Sequence, residues 1–300
     1  MTTDLKRLAA DRRAVIMAHY YCRPEIHELA DFVGDSLALA QMAAQSPAEV
    51  IVLCGVHFMA ETASILCPDK KILLANAKAG CPMADMVEAE ALRQRKRELP
   101  GVPVVTYVNS PAAVKAESDI CCTSANVVAV LKSLPDRRVL MTPDKNLAAY
   151  AQTKAPDKEV LFWPGFCIVH HALDLEEVRQ LRRDHPVAPV LAHPECTPAV
   201  LKEATFISST RGILEYCRQS REREFIILTE EGILHPLKKD NPGKIFHTPA
   251  TPMICRNMKY NRAEDVRQAL ETLTPEVKVP EDIRLKAISA VERMLAIPRM

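Results

Sequence analysis

Glycine is scarce in this chain, with eight in 300 residues, and neither a GxGxxG nor a GxxxxGK[ST] run occurs. Dinucleotide binding on a glycine-rich turn and P-loop nucleotide binding are therefore not expected. An excess of one charge is also missing: 39 basic residues face 38 acidic ones, for a net charge of +1. No basic stripe with interleaved aromatics appears, so a nucleic-acid partner is not expected. Long apolar runs are absent too; none approaches the roughly 18–20 residues that span a bilayer. The start, MTTDLKRLAADRR, is charged and lacks the apolar centre of a signal peptide. The expectation is a soluble, cytoplasmic protein with no membrane partner.

What the chain does have is cysteine, ten in all, yet no two are spaced as CxxC. That absence weighs against ferredoxin-type electron transfer and radical chemistry. Disulfides are disfavoured in a reducing compartment, so most of the ten should be buried thiols packing as small hydrophobes. Cys54, Cys121, Cys122 and Cys217 fit that description; Cys22, Cys67 and Cys196 are ambiguous. Cys81, Cys167 and Cys255 differ, each following a strand in a proline-containing loop: KAGCPM, WPGFCIVH and TPMICRNM. Two of the few glycines, Gly80 and Gly165, flank these thiols, which suggests backbone brought close to something bound.

A spacing ties the three thiols together. His19 precedes Ser36 by 17 residues, Tyr107 precedes Ser124 by 17, and His193 precedes Thr210 by 17. Two residues after each leading aromatic comes another polar group: Tyr21, Asn109 and Glu195. The cysteine follows 60 to 62 residues after the aromatic. The pattern describes a unit used three times, each copy offering a polar pair and a thiol. Asp31 falls on Asp119, and Ser36 on Ser124, at one common offset.

Each unit reads as strand, helix, short strand, helix, strand, helix, strand, then the cysteine loop. The first strands are Val15–Ala18, Val104–Val108 and Val190–Ala192. Alternating strands and helices predict parallel sheets with helices outside. In such sheets, ligands bind beyond the carboxyl ends of the strands, where all these polar residues and thiols fall. The expected boundaries are 1–85, 86–171 and 172–260 for three α/β units, with 261–300 as two packing helices. Ile283, Ala287, Ile288, Val291, Met294 and Leu295 form the apolar stripe of the last helix. Charged residues 218–224 read as a solvated loop.

The chemistry at this level stays open. Three thiols from three strand ends fit zinc, with His170 as a fourth ligand, or a [4Fe–4S] cluster with one iron free. The plainer alternative is that all ten cysteines are core thiols. His193 and Glu195 alternate along a strand end and could share a face as a weak general-base pair. Ser36, Ser124 and Thr210 start helices, where they could cap or hold anions; Ser208-Ser209-Thr210 is the richest such run. His57, His185 and His235 have no neighbours in the sequence to suggest a role. A zinc hydrolase and a metal- or redox-sensing regulator are the rival classes.

The segments AHYYCRPEIHELADFVGDSLALAQMA, VVTYVNSPAAVKAESDICCTSAN, WPGFCIVH, AHPECTP and DNPGK resemble the quinolinate synthase family over nearly the whole chain. The resemblance implies three α/β domains about a pseudo-threefold axis. It implies one [4Fe–4S] cluster per chain on Cys81, Cys167 and Cys255, with the open iron a Lewis acid. Some members carry a CxxCxxC run near the last ligand; here the run reads MICRNM, leaving Cys255 alone. The implied reaction is a transferase-type condensation of iminoaspartate with dihydroxyacetone phosphate, with dehydration, giving quinolinate, phosphate and water on the route to NAD. Implied substrate contacts are His19, Ser36, Tyr107, Val108, Asn109, Ser124, His170, His193, Pro194, Glu195, Ser209 and Thr210. Glu195 would be the general base, with Tyr21, His19 and His193 completing the catalytic set. An L-aspartate oxidase or dehydrogenase supplying iminoaspartate is the implied functional partner.

Overall fold

The structure is a computed structural model describing residues 2–299. Its twelve strands are β1 (Ala14–His19), β2 (Phe32–Gly34), β3 (Val50–Cys54), β4 (Lys71–Leu74), β5 (Val104–Tyr107), β6 (Ile120–Cys122), β7 (Arg138–Thr142), β8 (Glu159–Phe162), β9 (Val190–Ala192), β10 (Phe206–Ile207), β11 (Glu224–Leu228) and β12 (Ile245–His247). They form three four-stranded sheets with one repeated order, β2-β1-β3-β4, β6-β5-β7-β8 and β10-β9-β11-β12, and every ladder is parallel. The chain is thus α/β, with three similar units. Central strands such as β3, VIVLC, are buried throughout, as a sheet covered on both faces requires.

The repeat has a physical basis at each unit's first strand. Asp31 Oδ2 accepts from the Ile16 amide at 2.8 Å, and Asp119 Oδ2 accepts from the Val104 amide at 2.7 Å. Thr205 Oγ1 accepts from the Val190 amide at 3.0 Å in the third unit. One polar residue before each short edge strand therefore satisfies an amide of the neighbouring strand, the third of β1 and the first of β5 and β9, which would otherwise be orphaned. The ambiguous thiols fit the same scheme. Cys22 Sγ donates to the Cys54 carbonyl at 3.2 Å and Cys196 Sγ to the Leu228 carbonyl at 3.5 Å, so both are structural.

Helix starts differ from the sequence expectation. Asp35 and Ser209, one residue earlier, are the caps: Asp35 accepts from Ala38 N at 2.9 Å and Ser209 from Gly212 N at 3.3 Å. Ser36 and Thr210 are first helical residues, and Ser124 lies in a turn ahead of helix Val127–Ser133. The glycine reading also needs correction at Gly165. A Cβ there would meet the Pro143 carbonyl oxygen at 2.6 Å, so the space is taken by the chain's own backbone. The charged stretch 218–224 is only partly loop, since Arg218 lies in the last turn of helix Thr210–Gln219 and Glu224 opens β11.

The tail forms helices Ala263–Thr272 and Glu281–Ala296. The second lies against β6 and against helices Ala112–Lys115 and His57–Leu66, burying Ala287, Ala290, Val291 and Met294. It thus braces the first unit to the second. One large apolar cluster runs through these two units and the tail and takes in Met258; the second unit holds a further cluster around Val104, Val114 and Leu140, and the third unit holds clusters around Val190, Ile226, Leu228 and around Phe225, Ile213. No described helix is long and apolar enough to cross a membrane.

Candidate active site

The carboxyl ends of all three sheets face one cavity of about 80 Å³, several times the space one water needs. Cys81, Cys167 and Cys255, one from each unit, line it together with His19, Tyr21, Ser36, Tyr107, Asn109, Ser124, His170, His193, Glu195 and Thr210. Larger hollows of about 680 and 820 Å³ open on the surface elsewhere, but neither contains a thiol. Of the anticipated contacts, Val108, Pro194 and Ser209 do not reach the cavity. The Val108 amide is bound to the Cys122 carbonyl at 2.8 Å, and Ser209 is occupied as a cap.

Glu195 is the hub, with 4% of its surface exposed. The Tyr107 hydroxyl donates to its Oε1 at 2.7 Å, and His170 Nδ1 lies 2.7 Å from its Oε2. Burial alone would raise this carboxyl's pKa, but His193, His170 and these hydrogen bonds hold it well below the ordinary carboxylate range. Glu195 is therefore a buried carboxylate with both oxygens engaged.

The two leading histidines are neutral. Burial pushes His19 down to about 4 and His193 down to about 3. In each, Nδ1 accepts a backbone amide two residues on: Tyr21 N at 3.1 Å and Glu195 N at 3.4 Å. The network thus assigns the proton to Nε2, which in His193 lies 3.2 Å from Ser124 Oγ. The repeated polar–x–polar motif is a device for aiming an imidazole N–H into the cavity.

A chain of hydrogen bonds leaves Glu195 on its other side. His170 Nε2 meets Thr229 Oγ1 at 3.0 Å, Thr229 Oγ1 meets the Tyr21 hydroxyl at 2.9 Å, and Tyr21 meets Thr210 Oγ1 at 2.8 Å. Thr229 was not anticipated; nothing in the spacing marks it. Nor were Asp144 and Glu230, whose buried carboxylates accept the amides of Cys167 at 3.0 Å and Cys255 at 2.9 Å. Burial, then Glu195, pushes Asp144 up to about 7. Each acid caps the helical segment that follows a third strand, Lys145–Lys154 for Asp144 and Glu231–Ile233 for Glu230, a signal visible only once β7 and β11 are located.

Asn109 Oδ1 is buried with no hydrogen-bond partner. An orphaned buried oxygen costs about 1–3 kcal/mol, so its position on the cavity wall fits a donor arriving with a ligand. The thiols bear on the nature of a metal group. Among the described residues, Cys167, His170 and Glu195 bring their ligand atoms within 4.8 Å of one another, but the three cysteines do not form such a group. A single tetrahedral zinc with Zn–S near 2.3 Å holds its sulfurs about 3.8 Å apart. Among the described residues, the three thiols share the cavity without closing to the spacing that one tetrahedral ion requires. His170 Nδ1, 3.2 Å from Cys167 Sγ, serves the thiol and Glu195 as a hydrogen-bonding partner.

The model of the family described as quinolinate synthetase A protein matches residues 3–296. A quinolinate synthase of Geobacter sp. (strain M21) is 52% identical over 299 residues, covering 100% of this chain and 98% of the relative. One from Pelobacter propionicus is 53% identical over 296 residues, covering 99% and 97%. One from Methanosarcina barkeri is 50% identical over 293 residues, covering 98% and 96%.

Proposed function

The chain belongs to the quinolinate synthetase A family of NAD biosynthesis, and on that premise we propose that it condenses iminoaspartate with dihydroxyacetone phosphate to give quinolinate, phosphate and water. The observation carrying this reading is that three thiols from three sheets share one small cavity with an orphaned amide oxygen and two imidazole donors. The three units, 1–85, 86–171 and 172–260, would each contribute one thiol, with 261–300 bracing them; the protein would work in the cytoplasm. An aspartate-oxidising enzyme would supply the unstable imine.

Cys81, Cys167 and Cys255 would hold a [4Fe–4S] cluster, which when bound supplies a Lewis acid for hydroxyl loss. The chain's own groups do the rest. Nε2–H of His19 and His193, with Ser36, Ser124 and Thr210, donate to the carboxylates and phosphate of the substrates. Asn109 accepts through Oδ1. Glu195 takes a proton from the condensing partner. Its pKa in the empty cavity is low for a base, but substrate carboxylates entering a site of low dielectric push it upward, toward the working range. Tyr21 lies at the far end of the Thr229–His170 chain and returns protons to the leaving hydroxyl.

Anaerobic purification followed by iron, sulfide and zinc analysis, with turnover measured on freshly generated iminoaspartate, tests the reading. Zinc in place of iron, or a metal-free protein that turns over, would overturn it.

A further inference from the structure

Asp35, Glu195 and Glu230 line the thiol cavity, but none of its described lining residues is a lysine or arginine. The cations closest to it in the bonding pattern are already committed, Arg299 to Asp35 and Lys259 to Glu230. A phosphate ester carries about 1.5–2 negative charges at pH 7. Hydroxyls and neutral imidazoles can hold that group once it is inside. Drawing it from solvent takes positive charge along the approach.

Ser124 is half-buried and faces two spaces, the thiol cavity and a hollow of about 340 Å³ between the second and third units. One wall of the hollow is helix Val127–Ser133, joined by Tyr150 and Lys154 from helix Lys145–Lys154. The other is Phe206, Ile207 and Ser208, the edge strand β10 and the residue after it. The hollows of about 680 and 820 Å³ share no lining residue with the thiol cavity. A space beside Ser36 and Phe58 measures about 10 Å³, at the limit for a single water.

Lys132 and Lys154, both exposed, line the 340 Å³ hollow, and no acidic residue does. Lys154 Nζ lies 5.9 Å from the centre of the Tyr150 ring, which holds it over that wall. Each lysine stands in the last turn of its helix, where a cation offsets the helix dipole. That accounts for one lysine per helix, but not for two beside one acid-free hollow. From Lys132 back to Val127 the helix rises roughly 8 Å, toward Ser124. The Ser208-Ser209-Thr210 run also divides here. Ser209 is spent on a cap and Thr210 on Tyr21, which leaves Ser208 to line the hollow. The partition between hollow and cavity is the contact of Ser124 Oγ with His193 Nε2 at 3.2 Å.

We propose that this hollow is the port by which the phosphate-bearing substrate enters and inorganic phosphate leaves, with Lys132 and Lys154 drawing the anion and Ser208 and Ser124 passing it inward. The port rests on the condensation proposed above.

The test compares holoenzyme carrying Lys132→Gln with Lys154→Gln against holoenzyme carrying Lys71→Gln with Lys202→Gln, which removes the same net charge away from the hollow. In the first pair, kcat/KM for dihydroxyacetone phosphate should fall about 5-fold or more at low salt, the lower end of steering effects. Its dependence on ionic strength should flatten, and inorganic phosphate should inhibit less, with iron content unchanged. Lys132→Arg with Lys154→Arg should restore all three readings. An unchanged kcat/KM and salt slope, or equal losses in the two glutamine pairs, would overturn the port. Iron-loaded wild-type protein without turnover is a separate result, seen before any variant is made, and would overturn the condensation and the port together.

Discussion

The Tyr107 hydroxyl donates to Glu195 Oε1 across 2.7 Å, joining the end of β5 in the second sheet to the loop after β9 in the third. A hydrogen bond to a charged, buried acceptor contributes about 1.5–3 kcal/mol, and this one also fixes where the carboxylate points. On the proposed function, Tyr107 would act on the reaction through Glu195 as well as by facing the cavity.

Tyr107→Phe removes a donor from the ionised carboxylate, so the Glu195 pKa rises. The acid limb of kcat/KM should then move to higher pH, while iron content stays that of the wild type. An unmoved limb would mean that Tyr107 does not set the charge state of Glu195.

Glu195→Gln should keep the cluster and bind substrate but lose about 100-fold or more in turnover, as for removal of a general base. Steady-state kinetics decide this. Near-wild-type turnover would shift the role to Tyr21, which the Thr229–His170 chain connects to the same place.

Cys81→Ala, Cys167→Ala and Cys255→Ala should each lose the cluster, whereas Cys54→Ala and Cys217→Ala, both buried in the sheets and helices, should retain it. About four irons per chain in all five variants would remove the ligand assignment.

Arg299 grips Asp35 through two hydrogen bonds of 2.6 and 2.8 Å, and Asp35 caps the helix that presents Ser36. Arg299→Ala should raise KM several-fold with little change in kcat or iron content. Unchanged KM would show that the cap holds without its clamp.

Acid should unfold this protein early. His19 and His193 bind protons at pH 6.5 when unfolded but only near 4 and 3 when folded. Their neutral burial contributes stability fully above pH 6.5 that is lost as pH falls from there toward 3, at up to about 1.4 kcal/mol per unit per group. Urea midpoints between pH 7 and 4 would show it, with a shallower fall in His193→Gln. An identical slope in that variant would contradict the assignment.

The sequence made the frame legible because parallel strands here are unbroken apolar runs and the polar groups follow them at a fixed distance. Aspartates 31 and 119 even marked, at a common offset, the residues that hold an amide of the first strand in the first two units. The capping roles of Asp35 and Ser209 were one residue away from the positions chosen, since a polar pair at a helix start does not say which member turns back on the backbone. Thr229, Asp144 and Glu230 were missed for a different reason: each acts on a partner brought near only by the folded sheet.

The apolar core is divided unequally: the largest cluster spans the first two units and the tail, while most apolar side chains of the third unit sit in clusters of their own. Polar contacts such as Tyr107–Glu195 and Tyr21–Thr210 cross the seam between them. Water can replace such contacts at small net cost, whereas parting a shared apolar layer exposes it. Traffic of substrate and product would therefore follow this seam, the third unit swinging as a door while the braced pair acts as the frame. Amide exchange should report it as protection lost first in the loops that follow β5 and β9, before either core opens.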